Sequence, residues 1–134
     1  MPAAYNDRAE LRPLEPYVQG QTTYSIFSPR PGNTRTSWLT GAAAWAYYSA
    51  TQYILGLRPE LDDLRVDPCI PSSWPGFEAT RRFRNTTIDI EVKNPEGVCR
   101  GVKKLTLNGV LLKGDLIPAD RLLEHNAVEV VLGC

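Results

Sequence analysis

The sequence predicts an α+β chain in which one helix is followed by an antiparallel β-sandwich. Three observations carry that expectation. Residues 37–56, SWLTGAAAWAYYSATQYILG, are the one stretch with sustained helix composition. Beyond residue 64 the chain breaks into short segments whose apolar and polar residues alternate with period two. Asn108-Gly109 between KKLTL and VLL is the dipeptide that two-residue hairpins favour.

Taken in order, residues 1–36 are polar and turn-rich. Pro13, Pro16, Pro29, Pro31 and Gly32 leave room only for a short extended piece around Tyr17–Gln21. The helix comes next, with Thr40 as its expected N-cap, Gly56 where a C′ glycine belongs, and Pro59 preventing continuation. Its rows are Trp45, Ser49, Gln52, Gly56, then Ala43, Tyr47, Ala50, Ile54, then Ala46, Tyr53, Leu57. All are uncharged and nearly all apolar. A helix apolar all round belongs in the core of something larger. It is a rod of about 24 Å, and the β-type residues that follow are too few to wrap it. The chain is therefore expected to be a fragment, or to fold with a partner.

The strands follow as LRVDPCI, GFEATRRFR, TTIDIEVKN, KKLTLNGVLL and AVEVVLG. Ile88, Ile90 and Val92 alternate with Asp89, Glu91 and Lys93, the pattern of a half-exposed antiparallel strand. Short strands at this spacing fit a sandwich, and the boundary with the helical part falls near residues 57–63.

Composition excludes several function classes. With 134 residues, 43% hydrophobic and 22% charged, the chain is one ordinary domain or a small domain plus part of another. Fifteen basic residues balance fifteen acidic ones, and the balance is local: residues 1–63 carry five basic and six acidic groups. No basic stripe suits a nucleic acid. No apolar run is long enough to span a membrane, and MPAAYNDRAELRP has no signal-peptide core, so the cytosol is the expected compartment. Cys69, Cys99 and Cys134 with the single His125 form neither a disulfide framework nor a metal ligand set.

Few residues are candidates for chemistry. Thr40 and Gly41 sit at the positive end of the expected helix, where a hydroxyl and an open N–H suit an oxyanion such as phosphate. A simple cap and an easy turn explain the same pair. Glu15 stands in EPYVQGQ beside Gln19 and Gln21. Asp62, Asp63 and Asp67 are the other acids near the helix, and none makes a convincing general acid–base pair. His125 precedes the last strand in an expected surface turn, and Cys69 reads as a small buried hydrophobe. Arg81, Arg82 and Arg84 around Phe83 fit either an anion-steering patch or a charged strand face with one inward aromatic. Asn85-Thr86-Thr87 matches a glycosylation sequon, which means nothing without secretion.

From Thr36 to Val98 the words WLTG-x-A-A-W, QYILG-x-RP, DPCIP-x-x-W-x-GF and IEVKNP-x-GV occur in order. In these words the chain resembles the C-terminal end of the disaccharide phosphorylases of glycoside hydrolase family 94, cellobiose phosphorylase among them. The resemblance implies that residues 1–58 end an (α/α)6 catalytic barrel and residues 59–134 form the C-terminal β-sandwich. It implies inverting phosphorolysis of cellobiose or a related β-glucoside, with inorganic phosphate as co-substrate, α-glucose 1-phosphate as product and no cofactor. Thr40 and Gly41 then match the family's phosphate-contacting Thr-Gly, and Gln21 a glutamine that contacts sugar. Gln19 stands where the family carries an aromatic residue. The general acid and the rest of the phosphate site lie upstream in the family, so the implied partner is the missing barrel segment. A homodimer is left open. The alternative is a free-standing carbohydrate-binding or interaction module, which exposed aromatic side chains on one sandwich face would favour. Trp74, the one strand-region Trp, is expected to pack instead. A remnant of a split or truncated reading frame is the third reading.

Overall fold

The computed structural model describes residues 18–133. Expectations that fall on Glu15, Tyr17 and Cys134 lie outside the described residues. The chain forms two compact units, residues 1–48 and 49–134.

In the first unit, β1 (Gly20–Thr23) pairs antiparallel with β2 (Thr34–Ser37), with Gly20 opposite Ser37 and Thr22 opposite Arg35. The loop between them is closed by Tyr24 N–H on the Asn33 carbonyl (2.8 Å) and Gly32 N–H on the Tyr24 carbonyl (3.0 Å). Gly32 has φ +77°, as such a turn requires. Helix α1 (Ala42–Ser49) follows.

Helical structure then continues, but not as α-helix. Residues Ala50–Ile54 form a π-helical turn, with Leu55 N–H reaching the Ala50 carbonyl at 2.8 Å. The expected helix reaches its expected end, in two geometries rather than one. The wider turn carries Leu55 onto the core of the second unit. Gly56 takes the left-handed conformation expected of a C′ residue, φ +70°. The chain is fastened at that point, because Asp67 N–H bonds the Gly56 carbonyl and Cys69 N–H the Ile54 carbonyl, each at 2.9 Å.

The second unit is a two-sheet sandwich. Strands β3 (Leu57–Pro59), β4 (Asp63–Val66) and β9 (Leu116–Pro118) make a small antiparallel sheet in the order β3-β4-β9. The large sheet runs β5-β6-β10-β7-β8. It contains β5 (Gly76–Phe83), β6 (Thr86–Lys93), β7 (Val102–Leu107), β8 (Val110–Leu112) and β10 (His125–Leu132). Its inner residues Ile88, Ile90, Val92, Leu105, Leu107, Val128 and Val130 share one buried cluster with Leu57, Leu64, Val66 and Ile117 of the small sheet. Each such side chain contributes about 1.5–3 kcal/mol of transfer free energy.

The sandwich departs from the expected antiparallel arrangement at one pair. The last strand, β10, inserts between β6 and β7 and runs parallel to β6, with Val128 beside Ile90. Period-two alternation specifies which residues face inward but not which strand is the neighbour. A parallel pair needs a long crossover, here supplied by residues 94–124 with β7, β8 and β9 inside it. Two buried asparagines pin this topology. Asn126 accepts from Asn108 Nδ2 (3.1 Å) and Leu123 N–H (2.9 Å) and donates to the carbonyls of Leu123 (2.8 Å) and Thr87 (3.3 Å). Asn94 donates to the Trp74 and Val98 carbonyls and accepts from Val98 N–H, closing the NPEGV loop.

Candidate functional site

At the end of β2 the backbone is strained on both sides of Ser37. Thr36 (φ +62°) and Trp38 (φ +68°) are left-handed without being glycine, a conformation that costs about 1–3 kcal/mol at each. The chain then presents Thr40 and Gly41. The Thr40 hydroxyl oxygen accepts the Ala42 N–H at 3.1 Å, and the Gly41 carbonyl accepts the first helical bond, from Trp45 N–H, at 3.0 Å. Gly41 is therefore the N-cap, and the expected cap Thr40 stands one residue before it. The hydroxyl spends an acceptor lone pair on Ala42 and keeps its proton to donate.

Gly41 is not left-handed, and a Cβ built on it would meet only Trp45 Cδ1 at 3.7 Å and Nε1 at 3.9 Å. Those are ordinary contacts, so the packing of the chain itself does not demand glycine there. Gln21 is exposed in the middle of β1, opposite the segment that leads to Thr40. The hairpin register thus joins Gln21 to the same unit as Thr40 and Gly41.

No residue of α1 is buried. Trp45 is 70% and Tyr47 71% exposed, and Trp45 meets Tyr48 edge-to-face with centroids 6.2 Å apart. Among the described residues, the uncharged helix thus buries none of its side chains, although its composition calls for burial.

Other sequence candidates fall out differently. Asp67 makes no acid–base pair and is held by arginines instead. Arg100 grips it through two nitrogens, at 2.5 and 3.2 Å, and Arg58 approaches it at 3.5 Å. The Arg100 hydrogen bond holds the Asp67 carboxyl below the ordinary carboxylate range, with the positive charges of Arg100 and Arg58 adding to it and partial burial opposing. Arg58 also lies over the Tyr53 ring, 5.7 Å from its centroid. This network ties the end of the helical segment to the sandwich. It was not visible in the sequence, because Asp67 and Arg100 stand 33 residues apart.

Cys69 is exposed rather than buried: Pro68 and Ile70 on either side turn inward, and alternation sends Cys69 out. His125 is exposed, as expected, but opens β10 instead of lying in a turn. Asp62 and Asp63 flank the start of β4, with Asp62 near Arg84 at 3.8 Å. Arg84 and Asn85, both left-handed, make the β5–β6 turn. Trp74 remains 42% exposed, less packed than expected. No group of His, Cys, Asp or Glu among the described residues is arranged to hold a metal ion. No helix among them is long and apolar enough to cross a membrane.

Residues 1–56 match the Glycosyl hydrolase 94 superfamily, catalytic domain, and residues 57–99 match the Glycosyl hydrolase family 65, C-terminal domain. An N,N'-diacetylchitobiose phosphorylase of Vibrio proteolyticus is 46% identical over 132 residues, and one of Vibrio furnissii is 43% identical. These matches support a C-terminal segment of a glycoside hydrolase family 94 phosphorylase. A solabiose phosphorylase of Paenibacillus borealis is 36% identical over 78% of the chain. The chain spans 16% of the length of either Vibrio relative and 14% of the Paenibacillus one. The resemblance read from the WLTG, QYILG, DPCIP and IEVKNP words therefore stands, as that of a family 94 C-terminal segment.

Exposed apolar patches beyond a few hundred Å2 mark interaction sites, so the isolated segment is expected to self-associate through α1. Sedimentation velocity at micromolar concentration checks this. An ideal monomer with a high melting temperature would show that the helix needs no partner.

Proposed function

We propose that this segment works as the C-terminal portion of an inverting disaccharide phosphorylase, with Thr40 and Gly41 among the phosphate donors and Gln21 against the sugar. The observation that carries the reading is the start of α1. A threonine with a proton to donate and a glycine that internal packing does not require open a helix that is uncharged and has no buried residue. A phosphate approaching the Gly41 backbone explains the glycine, and barrel neighbours explain the helix. The relatives named for phosphorylase activity support the reaction class.

In this reaction a phosphate oxygen attacks the anomeric carbon as the glycosidic C–O bond breaks on the opposite face. One carboxylic acid, supplied by the rest of the enzyme, protonates the leaving oxygen. Because phosphate is itself the nucleophile, no second carboxylate is needed to activate water. That accounts for a site segment without a carboxylate pair. Hydrogen bonds from Thr40 and Gly41 hold the phosphate charge, while Gln21 orients the sugar. No cofactor enters.

A free-standing binding module is not favoured. Among the described residues the outer face of the large sheet carries Glu78, Thr80, Arg82, Asp89, Glu91, Lys93 and Glu129 and no exposed aromatic platform.

The test offers cellobiose and N,N'-diacetylchitobiose, each with inorganic phosphate, to the chain alone and to the chain joined to an upstream family 94 barrel. The chain alone is expected to release no sugar 1-phosphate, since a general acid contributes about 10²–10⁴-fold and the substrate walls are missing too. The joined enzyme is expected to release it from one of the two disaccharides. Phosphorolysis by the pure chain, or hydrolysis without sugar phosphate by the joined enzyme, would overturn the reading.

A further inference from the structure

The outer face of the large sheet changes character along its strands. Glu78, Glu91 and Glu129 lie in one lateral row, and Lys93 bonds both Glu91 (3.1 Å) and Glu129 (3.4 Å). In the next row Thr80 donates to Asp89 at 2.6 Å. The last row is different. Arg82 stands opposite Thr87, and Thr87 beside His125, so a guanidinium, a hydroxyl and an imidazole are lateral neighbours across three strands.

All three side chains point away from the core, since Phe83, Ile88 and Asn126, the next residue along each strand, are buried. Neighbouring Cβ atoms in such a row stand about 4.5–5.5 Å apart. The long Arg82 side chain can therefore meet the imidazole over the Thr87 hydroxyl. The row lines a depression of about 420 Å3, completed by the Arg84–Asn85 turn and by Glu124. Arg84 is committed elsewhere, donating to the Leu61 carbonyl and facing Asp62. Arg82 has no carboxylate partner among the described residues, although the same face is rich in acids.

We propose that Arg82, Thr87 and His125 form a surface site for a phosphate group, free or carried as a monoester. A tetrahedral oxyanion over Thr87 takes two parallel N–H donors from the guanidinium on one side. The hydroxyl below and an imidazole N–H on the other side take its remaining oxygens. Glu124 on the rim opposes a dianion, which makes this a weak site responsive to abundant phosphate rather than a tight store. The site lies wholly within residues 49–134 and does not depend on the roles given to Thr40, Gly41 and Gln21.

His125 is the single histidine of the chain, so its acylation by diethyl pyrocarbonate, followed by the absorbance of the carbethoxyimidazole, reads this site alone. Inorganic phosphate is expected to slow the acylation severalfold and saturably, at ionic strength held constant with sodium chloride. Glucose 1-phosphate tests the monoester: equal protection assigns the site to phosphate esters as well, and protection by inorganic phosphate alone assigns it to the free ion. Glucose should give none. Arg82→Gln should abolish the protection, the rate with phosphate being compared with that variant's own rate without it. Equal rates with and without both phosphates, or protection that survives Arg82→Gln, would overturn the proposal.

Discussion

Gly56→Ala is expected to remove about 2–5 kcal/mol of stability, the sum of a left-handed alanine and an overpacked contact. The residue has φ +70°, and a Cβ placed on it would lie 2.1 Å from the Asp67 carbonyl oxygen and 2.4 Å from Pro68 N. Those neighbours are backbone and cannot swing aside. They are also held in place, because the Asp67 N–H bonds the Gly56 carbonyl and the Asp67 carboxylate is gripped by Arg100 and Arg58. Any shift that relieves the clash must therefore open the junction between the helical segment and the sandwich. Gly114→Ala is the control. It shares a left-handed φ of +79° but has nothing within 4 Å of the added carbon, so it should cost only about 1–2 kcal/mol. Urea unfolding of both variants, followed by circular dichroism, separates the clash from the conformational term. Small domains hold about 5–15 kcal/mol in total, so Gly56→Ala should leave a visibly weakened fold.

Much of the architecture could be read from the sequence where one residue type had one physical use. Ile88, Ile90 and Val92 are buried and Asp89, Glu91 and Lys93 exposed, as alternation required. Asn108 and Gly109 are both left-handed, φ +50° and +81°, as their hairpin demands. Gly56 ends the helical segment where a C′ glycine was expected. Short or long-range features were not legible. Strands β3 and β9 have three residues each and contain Pro59 and Pro118, which signal turns rather than strands. The parallel seating of β10 depends on neighbours that no local pattern names. Cys69 was read from its residue type, whereas its position in the alternation decided its exposure.

The site divides in the same way. A helix start near Thr40 and Gly41 was legible from composition, and the cap slipped by one residue because either a hydroxyl or a glycine can serve there. Phosphate at that end was one of two readings of the helix-start chemistry, and the resemblance is what favours it over a simple cap. The Arg82, Thr87 and His125 row was hidden, since strand register alone makes neighbours of residues so far apart in the chain.

The second large effect is expected at Thr40. Its hydroxyl has two tasks, accepting the Ala42 N–H at 3.1 Å and, in the proposed site, donating to phosphate. Thr40→Val keeps the shape and loses both. Loss of a helix-start hydrogen bond costs about 1 kcal/mol of stability, which shows in the melting temperature and does not favour one substrate over the other. Loss of a donor to a charged acceptor costs about 1.5–3 kcal/mol of binding, which falls on phosphate alone. Thr40→Ser retains both hydrogen bonds and should behave nearly as the parent. The deciding measurement is the phosphate KM against the disaccharide KM for these variants in the barrel-joined enzyme. A role in phosphate binding predicts a rise of about ten- to hundredfold in the phosphate KM for Thr40→Val, with the disaccharide KM little changed and Thr40→Ser near the parent. An unchanged phosphate KM with only a lower melting temperature would mean that Thr40 serves the helix and not the phosphate.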